Sequence, residues 1–220
     1  MTSHVFDLLS GSWLHIYLGS LALLLTIMNP LGMLAIFLGT TANYSLAERK
    51  HISIKTSITI AIILITVTWL GTGVLNFFGV TLPAFEITGG ILLFIGCLPM
   101  VRPKITKPMS DDESPLDDDI AIVPLAFPIV SGPASILQVM MCLQLYGNDL
   151  ESKIVLTIAS LTATLVLFLF FYYSEFFMKI IGINGLRIIK IFVGIILLSI
   201  AVDIIAKGII GLFHLKGILH

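Results

Sequence analysis

The fold this sequence predicts is an all-α membrane protein. Its six transmembrane helices form two inverted three-helix repeats, with spans 1 and 4 broken at mid-membrane. Three observations carry that expectation. The composition suits a chain dissolved in lipid, the apolar residues fall into six long runs, and proline-centred clusters interrupt two of those runs 103 residues apart.

Of 220 residues, 57% are hydrophobic and only 11% charged, and the mean hydropathy is +1.07. A soluble domain of this size has no use for so much apolar surface, whereas several membrane spans consume it. About 20 helical residues cross the hydrocarbon layer. The candidate runs are Leu14–Ala42, Ser53–Phe78, Leu82–Val101, Ile120–Gly147, Ile154–Met178 and Ile188–Leu212. Strands of a membrane barrel would be about half as long and would alternate in polarity, which these runs do not.

The opening "MTSHVFDLLSGSW" holds no Lys or Arg, so it lacks the basic start of a signal peptide, and the first span is expected to stay attached. Cys97 and Cys142 both fall inside spans and describe no disulfide framework. A net charge of −1 gives no sign of a nucleic-acid partner. "NYS" at Asn43 matches a glycosylation sequon, a pattern short enough to arise by chance.

Basic residues orient the spans. With the N-terminus outside, the inner segments hold Arg49, Lys50, Lys55, Arg102, Lys104, Lys107, Lys179, Arg187 and Lys190, while the outer ones hold only Lys153, Lys207 and Lys216. This bias favours six spans with both termini outside, in the cytoplasmic membrane of a bacterium. The polar stretch "RPKITKPMSDDESPLDDD" divides the chain into residues 1–101, a cytoplasmic linker at 102–119, and residues 120–220. Two related halves with an odd number of spans must enter the membrane from opposite sides. Pro30 and Pro133 lie 103 residues apart, and "GILLF" (Gly90–Phe94) and "GIILL" (Gly194–Leu198) lie 104 apart, which suggests duplication.

The breaks have a physical reading. Proline lacks an N–H and clashes with the preceding turn, so each span should stop there. Proline also suits the first position of a new helix, with Asn a good cap before it. Asn29-Pro30 therefore predicts a second half-helix whose N–H groups at Leu31, Gly32 and Met33 are unpaired. Gly132-Pro133 predicts the same with Ala134, Ser135 and Ile136. Helix N-termini attract anionic groups, and unpaired backbone at this depth must line a cavity or meet a ligand. Interrupted helices at matching positions of inverted repeats, with substrate at the midplane, are a recurrent design of secondary transporters.

At these residues a resemblance becomes specific. "NPLGMLAIFLGTT", Arg49, "TGGILLFIG", "DIAIVPLAFPIVSGPASI" and "GIILLSIAVDIIAKGI" resemble the MarC family of bacterial integral membrane proteins over nearly the whole chain. The resemblance implies six helices and transport of small neutral amino acids such as glycine, alanine or serine, with a grouping among the amino-acid exporters of the lysine-exporter superfamily. No cofactor is implied, and nothing in the sequence supports drug efflux. The family's Asn-Pro-x-Gly motif falls on Asn29, Pro30 and Gly32, and its Gly-Pro pair on Gly132 and Pro133. Ala134 stands where family members often have Gly, and Glu86 where they often have Arg.

A zwitterionic amino acid suits such a cavity. Its carboxylate would meet a half-helix N-terminus, and its ammonium the carbonyls of Ile27, Met28 and Val130 or the side-chain oxygens of Asn29, Ser131 and Ser135. Glu86 and Asp203 are the intramembrane carboxylates and hence candidates to couple a proton or sodium ion, against the plainer expectation that Asp203 pairs with Lys207. Glu175 is expected to pair with Lys179 on one helix face. The Thr residues of the second span either line a path or bond back to their own helix. Gly89, Gly90 and Gly194 permit close helix contact, within one chain or in a homo-oligomer. A passive channel for a small polar solute is the alternative function. No HExxH motif is present and no His lies at mid-depth, so an enzyme is not expected.

Overall fold

The computed structural model describes residues 13–101 and 133–215, and these are helical apart from short turns. In chain order the helices are α1 (Trp13–Met28), α2 (Pro30–Thr40), α3 (Leu46–Phe77), α4 (Leu82–Val101), α5 (Pro133–Tyr146), α6 (Leu150–Tyr172) and α7 (Ser174–Leu215). Five helical stretches are long and apolar enough to cross a membrane: Trp13–Thr40 counted across its break, Leu46–Phe77, Leu82–Val101, Leu150–Tyr172 and Asn184–His214. Helix α5 is described over 14 residues, about 21 Å at 1.5 Å per residue. The remainder of the run Ile120–Gly147, with Ser131 and Gly132, lies outside the described residues.

Local chemistry sets the helix ends. Helix α3 starts well before its apolar run because Ser45 and Glu48 form a capping box: the Glu48 N–H donates to Ser45 Oγ at 3.4 Å, and the Ser45 N–H to Glu48 Oε2 at 2.7 Å. Asp149 caps α6, accepting from the Ser152 N–H at 3.1 Å and the Ser152 hydroxyl at 2.8 Å. These bonds hold the Asp149 carboxyl below the usual carboxylate range. Helix α6 ends at Tyr172, inside the apolar run Ile154–Met178, and Ser174 opens a new helix. That helix bends at Gly182, whose φ of 68° few other residues adopt without strain. Residues 174–181 thus connect α6 to the last span.

The outer surface is apolar, with Leu18, Ile62, Leu70, Leu165 and Phe192 exposed on four helices, as lipid contact requires. The packing joins early helices to late ones. Helices α4 and α7 run antiparallel over the longest contact. A Cβ on Gly90 would stand 2.7 Å from Ile205 Cγ1 and 3.0 Å from the Ala201 carbonyl oxygen. Gly194 meets Met100 and Val101 in the same way, and Gly208 meets Pro83 and Ile87. These glycines, with Gly89 against Leu137, serve contacts within the chain. Helices α3 and α6 also run antiparallel, tied by Trp69 Nε1–H to Thr157 Oγ1 at 3.2 Å and Asn148 Nδ2–H to Thr72 Oγ1 at 3.4 Å.

At the other end of this pair the Arg49 guanidinium donates to the carbonyls of Thr41 (2.9 Å) and Ala42 (3.0 Å). It also lies 3.7 Å from Glu175. The expected Glu175–Lys179 pair is corrected accordingly: Arg49, fixed at the C-terminal end of α2, reaches Glu175 from another helix. Lys50 Nζ sits 4.9 Å from the centre of the Tyr172 ring, and Phe37 stacks on Phe171 with centroids 4.5 Å apart.

The α4–α7 contact generates a paired prediction. Gly90→Ala forces a methyl group against backbone and should lower stability by about 1–3 kcal/mol, the usual cost of overpacking. Gly96, on the same helix with nothing within 4 Å of its Cβ position, should accept alanine without loss. Thermal melting in detergent separates the two, and equal melting temperatures would contradict the packing.

Candidate functional site

The first predicted break is present, and its construction is specific. Asn29 has φ 44° and ψ 71°, the one positive φ at a residue other than glycine among those described. A left-handed residue turns the chain out of helix α1, and Asn tolerates that conformation better than most. Pro30 then takes the first position of α2. At about 1.5 Å per residue, Asn29 lies roughly 24 Å from Trp13 and 16 Å from Thr40, well inside the membrane.

The hydrogen bonds of the turn correct the expectation of three unpaired amides. The Gly32 N–H donates to Asn29 Oδ1 at 3.1 Å, and the Met33 N–H to the Asn29 carbonyl at 2.9 Å. Asn29 caps its own helix and resumes the helical ladder with its carbonyl, as helix-capping residues do. The Leu31 N–H is left with no acceptor among the described residues. On the other side of the break, the carbonyls of Thr26, Ile27 and Met28 lose their donors four residues on, because Pro30 has no N–H and Leu31 and Gly32 turn elsewhere.

The side-chain amide of Asn29 adds a second orphan. The residue is 6% exposed, and its Nδ2 is buried without a hydrogen-bond partner among the described residues. Because the Gly32 N–H is a donor, the amide oxygen must face it, which identifies the unpaired atom as the nitrogen. An unpaired buried donor costs about 1–3 kcal/mol, so its retention needs a reason. Gly32 is what permits this pose: a Cβ there would collide with Asn29 Nδ2 and come within 3.1 Å of Met100 Cε. Met100, 4% exposed and packed against Gly194, therefore covers the turn. No polarity or motif marks Met100 in the sequence.

The second cluster is described from Pro133 onward, within α5; the predicted break at Gly132-Pro133 lies at the edge of the described residues, with Ser131 and Gly132 outside them. Ala134 packs against the core, Ser135 is 2% exposed, and Leu137 lies against Gly89 of α4. Gln138, one turn further on, is also buried and donates to Cys142 Sγ at 3.7 Å. It was not among the residues picked out from the sequence, because a single Gln in an apolar run carries no motif. Glu86 is buried on α4, whereas Asp203 is exposed and pairs with Lys207 at 2.7 Å, the plainer of the two expectations. Thr59 and Thr68 bond back to Lys55 and Leu64, while Thr72 accepts from Asn148.

A cavity of about 500 Å³ opens at the end of the bundle where α3 meets α4 and α5 meets α6. It does not include the Asn29 turn; its floor is Met140 and Leu143 of α5. A second hollow of about 290 Å³, between α3 and α6, is an apolar groove on the outer surface.

Residues 14–213 match the family described as MarC family integral membrane protein. A UPF0056 membrane protein of Aquifex aeolicus is 36% identical over 190 residues, covering 84% of this chain and 88% of that protein. Another, from Methanocaldococcus jannaschii, is 35% identical over 84% of this chain and 92% of its own length. One from Buchnera aphidicola is 29% identical over the full length of both. No solved structure matches the chain.

The geometry at Asn29 separates two substitutions. Asn29→Ala loses the cap, worth about 1 kcal/mol, and adds roughly 1–2 kcal/mol of left-handed strain. Asn29→Gly loses only a few tenths, since glycine accepts the turn. Chemical or thermal denaturation in detergent should rank wild type and Asn29→Gly close together with Asn29→Ala clearly below. The opposite ranking would deny the left-handed turn.

Proposed function

The chain belongs to the MarC family of integral membrane proteins, and from that premise we propose that it is a secondary transporter of small neutral amino acids such as glycine, alanine or serine. It is a multi-pass membrane protein. The observation that carries the proposal is the buried amide of Asn29, unpaired among the described residues, at the N-terminus of a half-helix inside the membrane.

A carboxylate brought to this turn would accept from Asn29 Nδ2 and the Leu31 N–H, and the positive end of the α2 dipole would favour it. The carbonyls of Thr26, Ile27 and Met28, freed by the same break, supply acceptors for an ammonium group. A zwitterion thus satisfies both sets of orphans at once, which neither a simple anion nor a cation does. Met100 over Gly32 leaves little room for a side chain, which favours a small substrate. Glu86, buried on α4, is the carboxylate in position to couple a proton or sodium ion. Asp203, paired at the surface with Lys207, is not.

Alternating access needs two related halves, and the packing is consistent with them. Exchange of the halves sends α2 to α5, α3 to α6 and α4 to α7. Helix α2 packs on α7 and α6, and α5 packs correspondingly on α4 and α3. The α3–α6 and α4–α7 pairs map onto themselves, and both are antiparallel. Such contacts favour two inverted three-helix repeats, residues 1–101 and 120–220, joined by the linker at 102–119.

Counterflow in proteoliposomes tests the proposal. Vesicles loaded with unlabelled glycine or alanine should accumulate labelled substrate transiently and saturably. Gly32→Val, which displaces the Asn29 amide, should reduce exchange at least tenfold while the protein remains folded. So should Asn29→Gly, which removes the amide and keeps the turn. Unchanged exchange in both variants would show that the site is wrongly assigned, and flux that rises linearly with concentration would favour a passive channel instead.

A further inference from the structure

The cavity at the α3–α4 and α5–α6 end has a lining suited to a ligand of its own. Its polar wall is made of Thr72 and Asn76 of α3, Thr81 before α4, and Gln144 and Asn148 at the end of α5. All five are neutral, and together they offer both donors and acceptors. The nearby Asp149 carboxylate is directed to Ser152 in its own helix cap. Among the described residues, none that lines the hollow carries a charge. Its volume of about 500 Å³ would hold on the order of fifteen waters at about 30 Å³ each, and lies within the range of small-molecule sites.

The floor is closed by a flexible side chain. Met140 is 3% exposed and lies so close to Gly71 that a Cβ there would stand 2.6 Å from its sulfur. Methionine has the rotatable bonds to swing aside without rearranging the helix. Met140 stands two turns, about 10 Å, along α5 from Pro133 and the first turn of that half-helix. The opposite end of the bundle is drawn together by Arg49 with Glu175, Lys50 with Tyr172, and Phe37 with Phe171. One end holds an open, polar-lined hollow while the other is tied across the two halves.

We infer that this hollow is a second, shallower binding site for a small solute of no net charge bearing both hydrogen-bond donors and acceptors, with Met140 as its adaptable floor. The inference rests on the transport reading for its place on a path, but the site itself is defined by its own lining. The absence of lining charge excludes tight capture of anions or cations and passes a neutral or zwitterionic solute inward. Under the orientation that the basic residues favour, the mouth faces outside.

Thiol labelling of the full-length protein tests both parts. Asn76→Cys and Gln144→Cys lie on different helices, so loss of one variant to misfolding leaves the other. In membrane vesicles of each orientation, a membrane-impermeant methanethiosulfonate should modify both from the same single side. Native Cys97 and Cys142 are buried and should give little background. Saturating alanine or glycine should slow labelling at least threefold, whereas chloride and lysine should not. Leu70→Cys, on the lipid-facing side of α3, should be unaffected. Labelling from both sides, or at the same rate with and without alanine and glycine, would overturn the site. Complete labelling that leaves glycine exchange intact would remove it from the path. If wild type shows no exchange at all, the transport proposal fails, and protection by alanine still decides whether the hollow binds.

Discussion

A backbone amide or carbonyl inside a lipid bilayer has no water to turn to, and that constraint governs this molecule. Helices satisfy it automatically, which is why the described residues are helical almost throughout. The chain departs from it at Asn29, where one left-handed residue and one proline strip partners from several polar groups. The departure is economical. Asn29 repairs two of the amides with its own oxygens, leaving a side-chain N–H and one backbone N–H without a partner among the described residues. Gly32 is small so that the Asn29 amide can fold across it, and Met100 covers the remainder.

The surrounding helices keep that turn dry and in place. The α2 half-helix is held at its far end by Arg49, whose guanidinium takes the carbonyls of Thr41 and Ala42 and then reaches Glu175. The glycines of α4 and α7 bring two backbones into direct contact, a packing mode that replaces hydrophobic driving force where the solvent is itself apolar. Among the described residues most contacts join an early helix to a late one, so the buried core is shared between them. One end of the bundle is open and amide-lined, and the other is joined by the Arg49–Glu175 pair and the Phe37–Phe171 stack.

Much of this was legible in the sequence, and for physical reasons. Hydropathy locates spans because the bilayer imposes both length and polarity. The Asn29-Pro30 break is legible because proline's missing N–H is a local property. Other features depend on distance in space. Glu175 finds Arg49 across the fold although Lys179 sits one turn away, and Met100 and Met140 matter only for the glycines they touch. Hydropathy also misplaced two ends. The Ser45–Glu48 capping box extends α3 through polar residues, and the turn at Tyr173 ends α6 inside the run Ile154–Met178, with a bend at Gly182 beyond it. Both are matters of backbone geometry, to which an average over apolar residues is blind.

The central claim is that the unmet amide of Asn29 recognises a carboxylate. Magic-angle-spinning NMR on protein in bilayers, with ¹⁵N in asparagine side chains and ¹³C in the carboxyl of added glycine, addresses it directly through the dipolar coupling between the two. The account predicts dephasing that corresponds to a direct hydrogen bond, lost when Asn29 is replaced by glycine. Coupling that survives this replacement, or none at saturating glycine in protein that is exchanging it, would contradict the claim.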